Sequence, residues 1–203
     1  MHVVRLAQRS QPDCQAAADL RACLAVLGPG PEVLGGVALL GLTLPGLEPR
    51  IDAVLLLPRG ILVLASVDLP GPVLRLDAPI DGPWLADGWR LVRPDGATNP
   101  AGTACAAAAA VAARLGVPGS PVLEVGVAVL VGPYVRTVVQ PAADLDRRIR
   151  VLSPSGPALV GLARELCNGV RPCGLMAAGG LLGVLAPGLR PVPPEVLAAE
   201  GFA

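Results

Sequence analysis

The sequence predicts an α/β fold, a mixed β-sheet flanked by helices, and three observations lead to it. Residues 51–57 (IDAVLLL) and 61–67 (ILVLASV) are almost unbroken apolar runs joined by Pro58-Arg59-Gly60, the pattern of a hairpin covered on both faces. Helical signals stand on either side of it, at 13–27 and from Asn99-Pro100 onward. Further strand-like runs follow the second helix, so the order is helix, strands, hairpin, helix, strand pair, helix.

Each element has its own local reason. In 13–27, Ala16, Leu20, Cys23, Leu24 and Leu27 form a helical apolar stripe, and Gly28-Pro29-Gly30 stops it. A strand is expected within 36–44, before the hairpin. The stretch DGPWLADGWRLVRPDG reads as a loop with turns, its Trp84 and Trp89 expected as anchors packed over the sheet edge. Asn99 suits a helix N-cap and Pro100 the first helical position, where a missing N–H is harmless. The helix that follows is nearly all Ala up to Arg114, small enough to lie close against a sheet. Residues 122–131 and 134–140 read as strands paired through Gly132-Pro133. A short strand at 149–152 precedes a helix from Pro157 to Cys167, with Ser153-Pro154-Ser155-Gly156 as the turn that caps it. That turn lacks the Lys and the glycine spacing of a phosphate loop. Two regions result: a body, 1–170, and an apolar Gly/Pro-rich tail, 171–203, ending in a short helix after Pro193-Pro194.

Composition narrows the function classes. Of 203 residues 53% are hydrophobic but only 2% aromatic, and mean hydropathy is +0.61, so apolar surface in excess of one core is expected. A partner subunit would cover it. A membrane is the poorer outlet, since the charge-free run between Arg171 and Arg190, as long as any in the chain, is broken by Pro172, Gly179-Gly180 and Pro187-Gly188. Without a signal-like apolar region at its start, the chain is expected to be cytoplasmic. Sixteen basic residues, all Arg, balance sixteen acidic ones, so no long-range field gathers polyanions. Arg147, Arg148 and Arg150 form the tightest basic run, read as a solvated face or, alternatively, a nucleic-acid contact. Cys14, Cys23, Cys105, Cys167 and Cys173 show no CxxC spacing and are expected as reduced, buried thiols without metal. His2 is the only histidine, at a terminus expected to be loose, which removes Ser-His-Asp and Cys-His catalysis in their usual forms. Richness in Ala, Gly, Pro, Arg and Val suits a GC-rich bacterial genome.

One ordered set of residues goes further. Ile51-Asp52, the Pro-Arg-Gly turn and its following strand, Trp84, Asn99-Pro100, the strand at 122–131 and Ala199-Glu200-Gly201-Phe202 occur at suitable distances. Together they resemble the nuclease-related domain (NERD) family of the PD-(D/E)xK nuclease-like superfamily, over roughly residues 12–168. The resemblance implies a restriction-endonuclease-like core and, in an intact member, metal-dependent nuclease chemistry. The family's hairpin Asp matches Asp52, but its Glu-x-Lys falls on Ala65-Ser66-Val67. The helix residue after its Asn-Pro falls near Thr103, and the acid of its first helix corresponds to Asp13 or Asp19.

The missing groups matter physically. Ala65 removes an oxygen ligand from a hard-cation site that needs several, and Val67 puts an isopropyl group where a charge should steady the developing oxyanion. Strand alternation places Ala65 and Val67 on the face Asp52 is expected to address, and Asp68 on the other. With no Lys in the chain, only Arg could supply the charge, without a readily lost proton. The expectation is therefore a pseudo-nuclease with no confident catalytic residue and no cofactor. Asp52 is vestigial, at most a weak metal candidate. The expected role is that of an interaction or scaffold subunit in a bacterial assembly or homo-oligomer. The alternatives are an atypical Mg- or Mn-dependent nuclease using Asp52 with Asp68 or Glu48 and an Arg, or a non-catalytic nucleic-acid binder.

Overall fold

The computed structural model describes residues 1–6, 14–27, 35–46, 51–93, 96–116 and 123–203. The first half contains β1 (His2–Arg5), α1 (Gln15–Val26), β2 (Val37–Leu42), β3 (Ile51–Leu57) and β4 (Gly60–Val67). Then come β5 (Val73–Asp77), β6 (Leu85–Ala86), β7 (Trp89–Arg90) and α2 (Pro100–Leu115). The remainder is β8 (Val125–Val131), β9 (Val135–Val139), β10 (Ile149–Leu152), α3 (Gly156–Leu166), α4 (Leu175–Leu185) and α5 (Pro194–Ala199).

The architecture is α/β, as expected, with two mixed sheets. The larger has the order β1-β2-β3-β4-β8-β10, and only β3 runs antiparallel to its neighbours. Its strands are buried on both sides. Leu55, Leu57, Leu62 and Leu64 join α1 and α3 in one apolar layer. Val54, Leu56, Ile61 and Val63 join α2, α4 and the smaller sheet in the other. The Ala-rich α2 behaves as its composition predicts, with Ala101, Ala104, Ala108 and Val111 turned into the core. Its Asn99 cap accepts from Ala101 N at 2.9 Å, and its amide donates to the carbonyls of Ile80 and Gly82 at 2.8 and 2.6 Å, tying the preceding loop to the helix start. Ser155 Oγ caps α3 through Ala158 N, so the Ser-Pro-Ser-Gly turn has the expected role. The Gly28-Pro29-Gly30 stop, Asp13 and Glu48 lie outside the described residues.

Several expectations need correction. Strands β8 and β9 do not pair with each other. Both edges of β8 are taken, by β4 and β10, and Gly132 N donates to Val67 O at 2.8 Å. Strand β9 pairs instead with β5 in the smaller sheet, order β7-β6-β5-β9, whose β6 and β7 lie in the stretch expected as loop. The expected loop holds a two-residue hairpin at Asp87-Gly88, both at positive φ (50° and 84°), the Asp-Gly turn that matches strand twist. Trp84 is an anchor, fully buried with its indole N–H on Pro79 O, but Trp89 stands 81% exposed. His2 is not in a loose terminus; it begins an edge strand parallel to β2.

The segment 171–203, expected as an appendage, is packed into the body. Ala178, Leu181, Leu182 and Leu185 of α4, Leu197 of α5 and Phe202 belong to the same apolar cluster as α2 and the hairpin. Helix α4 is eleven residues long, and among the described residues no helix is long and apolar enough to cross a membrane. The buried Glu200 carboxylate fixes this segment to the opposite end of the chain. It accepts from Gly36 N at 3.1 Å and pairs with the Met1 ammonium at 2.8 Å. Breaking a buried pair by removing one charge leaves the other uncompensated, so Glu200→Gln is expected to lower stability by about 3 kcal/mol. Urea unfolding would show this as a lower midpoint at an unchanged slope.

Candidate functional site

Because β1, β2, β4, β8 and β10 run parallel, their carboxyl ends share one edge of the large sheet, and β3 begins there. Open α/β sheets place ligand crevices at this edge. Asp52, Ser66 and Asp68 lie on it, beside the first residues of α1.

The orientation of Asp52 depends on a change of strand parity. In β2, Val37 and Leu39 face the α2 layer and Ala38 and Leu40 the α1 layer; beyond Gly41, at φ +70°, Leu42 is again on the α2 side. The paired strand does the same, with Ala53 on the α1 side and Ile51 on the α2 side. Asp52 sits at this switch. Regular alternation from Val54 and Leu56 would aim it at the face of Ala65 and Val67. Instead its Oδ2 accepts from the backbone N–H of Ser66 at 2.6 Å. Ile61 N donates toward β8, so by alternation Ser66 N points toward β3, beyond the last ladder pair, Ala53 with Leu64. The carboxylate takes the place of the missing ladder acceptor. The expected alignment of Asp52 with Ala65 and Val67 is therefore corrected.

Asp68 is a helix cap supplied from afar. Helix α1 has no acid in its first turn, and Cys14 at its N-cap makes no side-chain capping bond. Asp68 fills the gap, Oδ2 accepting from Gln15 N at 2.7 Å and Oδ1 from Ala16 N at 2.9 Å. Gly132 leaves room for it, since a Cβ there would stand 2.4 Å from Asp68 Oδ1. Asp68 thus lies on the α1 side, as alternation placed it, but its helix-capping role escaped the sequence reading. The available signal was the uncapped start of α1.

The thiol of Cys14 lies close to both carboxylates. Burial, and then the negative charges of Asp68 and Asp52, push it above the ordinary cysteine value. Such a thiol stays protonated at neutral pH and is a poor nucleophile. Cys167 is pushed up to about 12, chiefly by burial. All five cysteines are free; Cys167 and Cys173 are buried as expected, whereas Cys14, Cys23 and Cys105 are only half-buried.

The other positions do not converge on this edge. Val67 is buried in the α2-side cluster and the half-buried Ala65 packs against it, so apolar side chains occupy the Glu and Lys positions of the resemblance. Thr103 is exposed, whereas Ala101 and Ala104 of the same helix are buried in the core. Asp19 accepts from Gln15 Nε2 within α1 at 2.8 Å. Among the described residues, no three His, Cys, Asp or Glu side chains are arranged to hold a metal. The arginine run is occupied internally: Arg147 pairs with Asp81 and Arg148 with Glu124, both at 2.6 Å. Arg150 binds Glu165 and the carbonyls of Leu145, Arg147 and Ile149. Arg150 braces the turn between β9 and β10, while Arg147 and Arg148 tie that turn to Asp81 and Glu124. Compared with protein-family models, curated proteins and solved structures, the chain matches none.

Losing the remote cap in Asp68→Ala is expected to destabilise the protein by roughly 1–2 kcal/mol, read from thermal or urea unfolding. Gly132→Ala should reproduce part of that loss by displacing the same carboxylate. Alkylation of Cys14 by iodoacetamide should rise at higher pH than for an exposed cysteine. In Asp68→Asn the profile should move to lower pH, because a negative neighbour that opposed the thiolate has gone.

Proposed function

We propose that the protein is a non-catalytic relative of the nuclease-related type, with a restriction-endonuclease-like core, that works by contact. It serves as an interaction or scaffold subunit in a bacterial assembly, most simply as a homo-oligomer. The observation that carries this reading is the use of the edge carboxylates. Asp68 has both oxygens on the backbone of α1 and Asp52 has one on Ser66, so the groups that would hold a divalent cation are engaged in closing the fold. Leu74, Trp89, Val92 and Tyr134, on or next to the smaller sheet, are exposed and would be covered in an assembly, which supports the contact role.

An atypical Mg- or Mn-dependent nuclease is the alternative, favoured only by the presence of Asp52 and Asp68 on one edge of the large sheet. Light scattering after size exclusion should give a mass that is a multiple of 20.4 kDa. Trp89→Arg should shift it toward the monomer. A stable monomer that recovers no partner would remove the contact reading. Incubation with plasmid and single-stranded DNA in Mg²⁺ or Mn²⁺ should leave both intact; cleavage abolished by Asp52→Ala would establish the nuclease instead.

A further inference from the structure

On the same edge, a cleft of about 460 Å³ opens between the ends of β1 and β2 and the turn after α4. Its walls include Arg5 and Leu6 beyond β1, Leu42 and Thr43 beyond β2, and Leu185 and Arg190 around the turn. Two backbone features shape it. Gly41 turns the end of β2, and Gly188, at φ +95°, folds the chain back after α4 so that Arg190 returns to the opening. Leu42 and Leu185 are buried and give the cleft an apolar floor. The volume falls within the ~300–1,000 Å³ usual for small-molecule sites.

Two arginines line this cleft. Arg147, Arg148, Arg150, Arg75 and Arg114 each bind a carboxylate or carbonyl. Arg5 and Arg190 are exposed, and among the described residues neither meets an acceptor. Arg114 Nε, on Val184 O at 2.7 Å, offsets the negative end of α4 that approaches the same region. Two guanidinium groups therefore face an opening with an apolar floor, each presenting a planar donor fork suited to a carboxylate or phosphate.

We propose that this cleft binds a small organic anion, a carboxylate or phosphate head on a short apolar body. The head lies between Arg5 and Arg190, and the body lies over Leu42 and Leu185. The buried leucines of the floor disfavour a nucleic-acid backbone, whose charges repeat along a wetted strand. Calorimetric titration of the full chain with hexyl phosphate and hexanoate tests this, with inorganic phosphate, hexanol and anionic phosphatidylglycerol vesicles as comparisons. One equivalent of at least one amphiphile should bind, and inorganic phosphate and hexanol should bind about tenfold or more weaker, since each lacks one half of the recognised chemistry. Arg5→Ala and Arg190→Ala should each weaken amphiphile binding about tenfold. Both side chains are exposed, so the melting temperature without ligand should not move. Silence with both amphiphiles would overturn the proposal. So would equal binding of phosphate or hexanol, binding undiminished in the double variant, or association with vesicles alone.

Discussion

Val54, Leu56, Ile61 and Val63 lie against one helical layer while Leu55, Leu57, Leu62 and Leu64 lie against the other, and the rest of the structure depends on this double burial. A strand with no wet face cannot tolerate an unpaired polar group, so polar side chains are driven to its ends. There three acids are matched to backbone groups that the ladder or a helix leaves open. Asp52 serves the end of β4, Asp68 the start of α1, and Glu200 the start of β2. The acids at the sheet margins are thus part of how the sheet is closed off.

Regular alternation would aim the Asp52 carboxylate at Ala65 and Val67 and leave it beside apolar groups. The chain avoids that through the switch at Gly41 and Asp52, which turns the carboxylate onto a neighbouring N–H. Glu and Lys placed at Ala65 and Val67 would not meet it there, and a Lys at Val67 would put a charge into the cluster shared with α2.

The elements most legible in the sequence were those set by local chemistry. Asn99-Pro100 marked the start of α2, and Pro58-Arg59-Gly60 marked the β3–β4 hairpin. The short strand β10 also fell where its apolar run placed it. What escaped depends on groups distant in sequence. Alternation projected Asp52 correctly along an ideal strand and failed where a left-handed glycine resets the count, although a glycine inside a strand is itself a warning. The arginine run looked like a free surface because its carboxylates, on Asp81, Glu124 and Glu165, come from three other parts of the chain. Trp84 and Trp89 are five residues apart and end in opposite environments, which turn chemistry at Asp87-Gly88 decides and hydrophobicity does not.

The Glu200 contact also orders events in time. During synthesis β2 and the residues before it emerge early, yet the carboxylate that binds Gly36 N is made 164 residues later. Closing so long a loop is entropically expensive and slow, and contacts of this range form late. Until then the β1–β2 margin of a strongly apolar sheet has no lock. A chain still on the ribosome would expose that margin to its neighbours, the condition in which apolar strand edges aggregate.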